Sequence, residues 1–102
     1  MDSLYPEVGD VVTMNNATAD YYVVVMAEEG NKLLVPLRSR RRPGRGREPE
    51  VQDWEQAGLP SKHWFNTATQ RQLTSWANIT DVPGHLSNRD LYTALRVARL
   101  RR

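Results

Sequence analysis

The feature that most constrains the fold is an uninterrupted apolar run, YYVVVMA, at residues 21–27. β-Branched and aromatic side chains favour extended backbone, and an apolar run without polar alternation is typical of a strand buried on both faces. The polar EEGN that follows predicts a tight turn in which Gly30 adopts a positive φ, and KLLVPL at residues 32–37 predicts a returning strand. We therefore expect a β-hairpin over residues 21–37.

Another strand is expected before this hairpin. VGDVVTM at residues 8–14 has β-branched composition, and the polar NNATAD at residues 15–20 separates it from the apolar run as a loop. The three strands predict an antiparallel meander. Because Pro36 has no N–H to donate to a sheet, the strand over residues 32–37 is expected to lie at an edge of the sheet or to end there.

The second half of the chain predicts short elements and a C-terminal helix. EVQDWEQAGL at residues 50–59 predicts a short helix that Gly58 ends in the left-handed conformation. Strand-like composition returns around residues 63–69, and a further short strand is indicated at residues 76–79. In the C-terminal segment, Ser87 is a good N-cap and Asp90, three residues later, fits a capping-box start.

Apolar residues after this cap follow the period of an amphipathic helix. They are Leu91, Ala94, Leu95 and Ala98. The chain has 102 residues, which is enough for one domain with a single modest core. We therefore predict a single domain over residues 1–102 of the mainly β class, mostly antiparallel, with a C-terminal helix and the architecture of a small SH3-like β-barrel.

Composition excludes several kinds of site. The chain has no cysteine, so it can form neither a disulfide nor a thiolate metal site, and its two histidines disfavour a zinc site. We expect no metal and no cofactor. The N-terminal MDSLYPEVGD lacks the basic and apolar regions of a signal peptide, and no stretch approaches the length of a membrane span. A cytoplasmic protein without a membrane partner is therefore expected.

Charge is segregated along the chain. Residues 1–31 contain six acids and no lysine or arginine, and positive charge is concentrated in RSRRRPGRGREPE at residues 38–50 and in the arginines of residues 89–102. Arginine outnumbers lysine twelve to two, which favours bidentate contacts with phosphate. If the two basic segments meet on one face, they form a surface suited to a polyanion.

The basic segment at residues 38–50 has no large apolar residue, so we predict a loop outside the core. Two interpretations remain open for it: contact with an RNA backbone, or a solvated surface loop in which Glu48 and Glu50 neutralise the arginines when no ligand is present. Because Arg38 and Ser39 adjoin a predicted strand end, contact with a ligand is favoured at these two residues.

Five phrases occur along the chain in an order that is typical of one protein family. They are VGDVV, YYVVVMA, LLVPLRS, AGLPS and PGHLSNRDLYTAL. By these phrases the chain resembles the MazF/PemK toxins of type II toxin–antitoxin pairs. The resemblance implies a CcdB/PemK-like barrel that forms a homodimer, cleaves single-stranded RNA without a metal, and is blocked by a small acidic antitoxin lying across the RNA groove.

RNA cleavage by attack of a 2′-hydroxyl on phosphorus requires a proton acceptor, a proton donor and positive charge near the phosphate. The resemblance places the hydroxyl residue of the family at Ser39 and its arginine–proline pair at Tyr21 and Tyr22. Since tyrosine carries no positive charge, either Arg38 or Arg40 supplies it or this chain has lost nuclease activity. Histidine titrates near neutral pH, which makes His63 a candidate acid or base.

The sequence thus predicts one site and leaves three functions open. The predicted catalytic residues are Arg38, Ser39 and His63, and the predicted RNA-binding residues are Tyr21, Tyr22, Arg40, Arg41 and Arg42. The first function is a growth-inhibiting endoribonuclease toxin. The second is a barrel that binds a protein target without cleavage, as the gyrase-poisoning toxins do, and the third is a nucleic-acid-binding module whose affinity falls with salt.

Overall fold

The computed structural model describes residues 4–41 and 48–100. In this part of the chain, six strands and one helix follow one another as β1 (Asp10–Met14), β2 (Tyr21–Glu28), β3 (Asn31–Arg38), β4 (Trp64–Phe65), β5 (Arg71–Leu73), β6 (Ile79–His85) and α1 (Asn88–Leu100). All strand pairs are antiparallel, in the order β4-β3-β2-β1-β6, with β5 beside β3. The predicted class, a mainly antiparallel barrel-like sheet with a C-terminal helix, is confirmed.

The hairpin of β2 and β3 forms the centre of the sheet, as predicted. Its register runs from Tyr21 opposite Leu37 to Glu28 opposite Asn31, and Gly30 in the turn has a φ of 73°. Alternate residues of β2 enter two hydrophobic clusters: Val23 and Val25 face one that includes Ala94 and Val97 of α1, whereas Val24 faces the other. The burial of β2 on both faces explains its uninterrupted apolar sequence.

Pro36 neither places β3 at an edge nor ends it, since β3 continues to Arg38, so the prediction is wrong in both alternatives. β3 lies between β2 on one side and two short strands on the other, with β5 opposite residues 32–34 and β4 opposite residues 37–38. The Pro36 carbonyl accepts a hydrogen bond from Asn66 N at 2.9 Å. The nitrogen and the carbonyl oxygen of one strand residue face the same side, so the Pro36 nitrogen also faces β5 and β4. It lies in the interval between these two strands, where the missing N–H of proline interrupts neither pairing.

The segment predicted as a helix over residues 50–59 is instead a succession of turns. A single α-type hydrogen bond joins Ala57 N to Asp53 O. The segment then ends in a Schellman motif, in which Gly58 N donates to Glu55 O at 3.1 Å and Leu59 N donates to Trp54 O at 3.0 Å. Gly58 has a φ of 78°, as predicted for the left-handed cap. One helical turn is too short to stabilise itself, so contacts with the rest of the fold must hold this segment.

One such contact is a close backbone approach between this turn and β6. A Cβ added to Gly58 would lie 2.8 Å from Pro83 C, and a Cβ added to Gly84 would lie 2.9 Å from Gly58 N. These separations are shorter than ordinary van der Waals contact, so the approach requires glycine at both positions. The strand predicted at residues 76–79 is wrong for residues 76–78, which form a turn, because β6 begins only at Ile79. The strand β6 gains its hydrogen bonds from β1 despite its polar composition.

The helix α1 begins as predicted, but its buried face is rotated from the predicted stripe. Ser87 Oγ lies 3.4 Å from Asp90 N and caps the helix. Asp90, Ala94 and Val97 are buried, whereas Leu95 is 41% exposed. Within the described residues, no helix is long and apolar enough to cross a membrane.

Two ion-paired residues attach the turn to the start of α1. Arg89 donates to both carboxylate oxygens of Asp53, from Nε at 2.8 Å and from Nη2 at 2.7 Å, and Ser87 Oγ donates to the same carboxylate. The hydrogen bonds from Arg89 and then Ser87 lower the pKa of Asp53 to about 2. A carboxylate with a lowered pKa stabilises the folded state above its unfolded pKa of about 3.9.

This pairing predicts a pH-dependent loss of stability in an Arg89→Gln variant. At neutral pH the variant should melt at a lower temperature than the parent. The difference should shrink as the pH falls from about 4 towards 2, since protonation of Asp53 then removes the interaction from the parent as well. Circular dichroism melts across this range measure the effect. In the control Arg96→Gln the difference should not vary with pH, since Arg96 lies over the Tyr92 ring instead.

Candidate functional site

A cavity of about 410 Å³ lies at the end of the hairpin opposite its tight turn. Three segments form its walls, namely the β1–β2 loop, the end of β3 with the residues after it, and the chain before and after β4. The lining residues are Thr18, Ala19, Asp20, Pro36, Leu37, Arg38, Ser39, Arg40, Arg41, His63 and Asn66. All three predicted catalytic residues therefore line one cavity, although His63 is far from the other two in sequence.

Strand pairing brings these residues together. Arg38, the last residue of β3, is opposite Trp64 in β4, so His63 is placed beside the point where β3 ends. His63 is only 2% exposed, and its ring packs almost perpendicular to the Tyr21 ring, with 5.4 Å between ring centroids and an interplanar angle of 87°. Tyr21 thus lies at the start of β2 as a support for the His63 ring.

The contacts of His63 fix which of its nitrogens can accept a proton. Nδ1 lies 2.9 Å from the carbonyl oxygen of Ser61. A carbonyl oxygen can only accept, so Nδ1 carries the hydrogen in this bond. In the neutral ring Nε2 then has a lone pair, which is the arrangement that a general base needs.

Arg38 is held by a buried acid that the sequence did not identify as part of the site. Arg38 Nε lies 2.9 Å from Glu48 Oε1 and 3.1 Å from Oε2, and Glu48 Oε2 also accepts a hydrogen bond from Thr67 N at 3.2 Å. The Glu48 side chain is 1% exposed. The expectation that the whole of residues 38–50 lies outside the core is therefore wrong, because pairing with Arg38 allows the Glu48 carboxylate to be buried.

The Glu48 pair has two consequences for the cavity. It offsets the charge of Arg38, which was one of two arginines predicted to replace the missing family arginine. It also fixes the guanidinium through Nε, and this contact does not use the four N–H groups of the two Nη atoms. The signal in the sequence was the pair of acids, Glu48 and Glu50, directly after the run of arginines, which was expected to neutralise them in a solvated loop.

The remaining positive charge comes from exposed side chains. Arg40 and Arg41 line the cavity and are exposed, as is Ser39, while Arg42 lies outside the described residues. Among the described lining residues Asp20 is the sole acid, so the lining favours an anion. No group of three potential metal ligands is found within residues 4–41 and 48–100.

The two tyrosines at the start of β2 point to opposite sides of the sheet. Tyr22 is 1% exposed and does not line the cavity. Its phenolic oxygen accepts hydrogen bonds from Thr18 N at 3.1 Å and Ala19 N at 3.3 Å. Burial raises the pKa of Tyr22, but hydrogen bonds from Thr18, Ala19 and Arg71 outweigh burial and leave the pKa below its usual value. Tyr22 therefore holds the cavity wall rather than offering a surface to RNA.

The C-terminal arginines do not extend the cavity within the described part of the chain. Arg89 pairs with Asp53, and Arg99 borders a separate groove with Met26 and Leu33, near the turn end of the hairpin. Among the arginines of residues 38–41 and 89–99, the two basic segments therefore do not form one continuous wall at this site.

No protein-family model matches the chain, and no curated protein is significantly similar to it.

Proposed function

We propose that this chain is a toxin of the MazF/PemK type that cleaves single-stranded RNA at the arginine-lined cavity without a metal. The observation that supports this proposal best is the convergence of His63, Ser39 and the arginines around a space of about 410 Å³. That volume is within the range of pockets that bind small ligands.

In the proposed reaction, a bond from phosphorus to the 2′-oxygen replaces the bond from phosphorus to the 5′-oxygen of the next nucleotide. His63 Nε2 accepts the proton of the 2′-hydroxyl, the 2′-oxygen attacks phosphorus, and the bond to the 5′-oxygen breaks. The leaving 5′-oxygen takes a proton from water, and His63 later releases its proton to solvent. Arg40, Arg41 and the Nη groups of Arg38 stabilise the developing negative charge, and Ser39 donates a hydrogen bond to a phosphate oxygen.

The proposal includes the partners of the family. A small acidic antitoxin would cover the cavity by offering carboxylates to the same arginines that bind phosphate. A homodimer and a cytoplasmic location belong to the same proposal.

The test is incubation of the purified chain with unstructured single-stranded RNA at low salt in the presence of a chelator. We expect cleavage that produces a 2′,3′-cyclic phosphate and a 5′-hydroxyl, together with growth arrest on expression in bacteria. Intact RNA under these conditions would contradict the proposal.

A second function is favoured by the Glu48 pair. Glu48 offsets the Arg38 charge, and Tyr21 stands where the family has an arginine, so a toxin of the same fold that binds a protein target or nucleic acid without cleaving it is the alternative. Growth arrest with intact cellular RNA would select this function over the first.

If the cavity binds RNA, with or without cleavage, binding should depend on the two exposed arginines that line it, Arg40 and Arg41. A double variant Arg40→Ala/Arg41→Ala should weaken binding and make its salt dependence shallower. The negative slope of log K against log salt should fall in magnitude by about 1.4, because each lost phosphate contact with a single strand removes about 0.7. Fluorescence anisotropy at several salt concentrations measures the slope. The matched variant Arg96→Ala/Arg99→Ala removes two arginines outside the cavity. An equal change of slope in both variants would show that the cavity is not where RNA binds.

A further inference from the structure

Asp20 is chemically out of place in a cavity that binds only phosphate. It lines the cavity with Arg38, Arg40 and Arg41, and it is exposed. An ionised carboxylate accepts hydrogen bonds and donates none, so it repels the phosphate oxygens that the arginines attract. A nucleotide bound here is therefore expected to offer Asp20 a donor. In RNA the donors are the ribose 2′-hydroxyls and the N–H groups of the bases, and of these only the base N–H groups differ from one nucleotide to another.

The position of Asp20 is fixed from both sides. The preceding residue, Ala19, and Thr18 before it donate their backbone N–H groups to the buried Tyr22 hydroxyl. The following residue, Tyr21, begins β2 opposite Leu37. The backbone that carries Asp20 is therefore held in place before a ligand binds, which favours a residue that selects among ligands.

The donor pattern of the bases decides which nucleotide fits a carboxylate. Guanine presents a ring N–H and an exocyclic amine side by side on its Watson–Crick edge, which matches the two oxygens of one carboxylate. Adenine and cytosine present an amine beside a ring acceptor, and uracil presents one N–H between two carbonyl oxygens. Single-stranded RNA exposes these edges to a protein.

We propose that Asp20 selects a guanine nucleotide in single-stranded RNA by accepting hydrogen bonds from guanine N1–H and N2–H, while Arg40 and Arg41 bind the adjoining phosphates. This inference rests on the proposed function, since it takes the cavity to be the RNA site. It makes Asp20 a specificity-determining residue, separate from the residues that perform the cleavage.

The test uses short oligouridines that contain one guanosine, one inosine or one 7-deazaguanosine. Inosine lacks the N2 amine but keeps N1–H, and 7-deazaguanosine keeps the whole Watson–Crick edge. By fluorescence anisotropy in chelator at fixed salt, the parent should bind the guanosine RNA about tenfold or more tightly than the inosine RNA, as expected for the loss of one arm of a bidentate base contact. It should bind the 7-deazaguanosine RNA as tightly as the guanosine RNA.

The variant Asp20→Asn should lose the discrimination between guanosine and inosine, because an amide offers one acceptor and one donor in place of two acceptors. The control Asp81→Asn changes an acid of β6 outside the cavity and should keep it. Equal binding of the guanosine and inosine RNAs by the parent, or discrimination that survives in Asp20→Asn, would overturn the inference. If the parent discriminates between the two RNAs in binding but cleaves neither, the role of Asp20 in selecting guanine is supported and the proposed RNA cleavage is contradicted.

Discussion

Replacing Asp90 with alanine should lower the free energy of unfolding by about 3 kcal/mol, because two charge-assisted hydrogen bonds from backbone N–H groups are lost. Asp90 is 1% exposed, and its two carboxylate oxygens accept hydrogen bonds from Gln52 N at 2.8 Å and Asp53 N at 2.7 Å. These bonds join α1 to the turn at residues 51–58. The turn has a single helical bond of its own, so it depends on this acceptor for its conformation.

Urea unfolding followed by circular dichroism measures the Asp90 effect, and two variants calibrate it. Asp90→Asn keeps one acceptor oxygen and should lose less than Asp90→Ala. Glu55→Ala removes an exposed acid from the same turn and should stay within about 0.5 kcal/mol of the parent. If Asp90→Ala unfolds at the same urea concentration as the parent, the two backbone bonds do not stabilise the fold.

Replacing His63 should reduce the rate of RNA cleavage by about 100- to 10,000-fold, the usual contribution of a general base. His63→Asn is the sharper variant, since its amide can still donate to the Ser61 carbonyl in place of Nδ1 but has no atom at the position of Nε2. RNA binding should change far less than kcat, because the arginines that bind phosphate remain. Single-turnover cleavage and anisotropy on the same RNA separate the two quantities.

The other histidine supplies the control for this experiment. His85 is half-exposed, lies outside the cavity, and its Nδ1 is 2.7 Å from Asp10 Oδ1. The variant His85→Gln should cleave RNA at the parental rate. Equal rates in His63→Asn and the parent would remove His63 from the mechanism, and a circular dichroism melt shows whether a loss of rate reflects unfolding instead.

The sequence predicted the hairpin and the helix because their signals are local. YYVVVMA, the glycine turn and KLLVPL specify β2 and β3 through neighbouring residues, and Ser87 specifies the start of α1. β6 could not be read in this way, since its polar sequence becomes a strand only beside β1. The short helix expected over residues 50–59 is replaced by turns for a related reason, namely that distant Asp90 supplies its hydrogen bonds.

Part of the candidate site was also predicted from local signals, and the rest depends on contacts between residues that are distant in sequence. Arg38 and Ser39 were placed by the end of a strand that the sequence specifies. Glu48 was expected to neutralise the arginines in a solvated loop, but its burial was missed because that burial requires Arg38 and the Thr67 N–H. Tyr22 was misplaced because only the structure shows which side of the sheet its ring enters.

The close approach of Gly58 and Gly84 has a consequence for how this chain can diverge. The two glycines belong to AGLPS and PGHL, phrases far apart in sequence, yet a side chain on either one would overlap the backbone of the other segment. A substitution at one position is therefore not accommodated by keeping glycine at the other, since either one alone requires the two backbones to separate. We expect sequences that evolve from this one to keep both glycines, or to replace both when the turn at residues 51–58 and β6 change their conformation together.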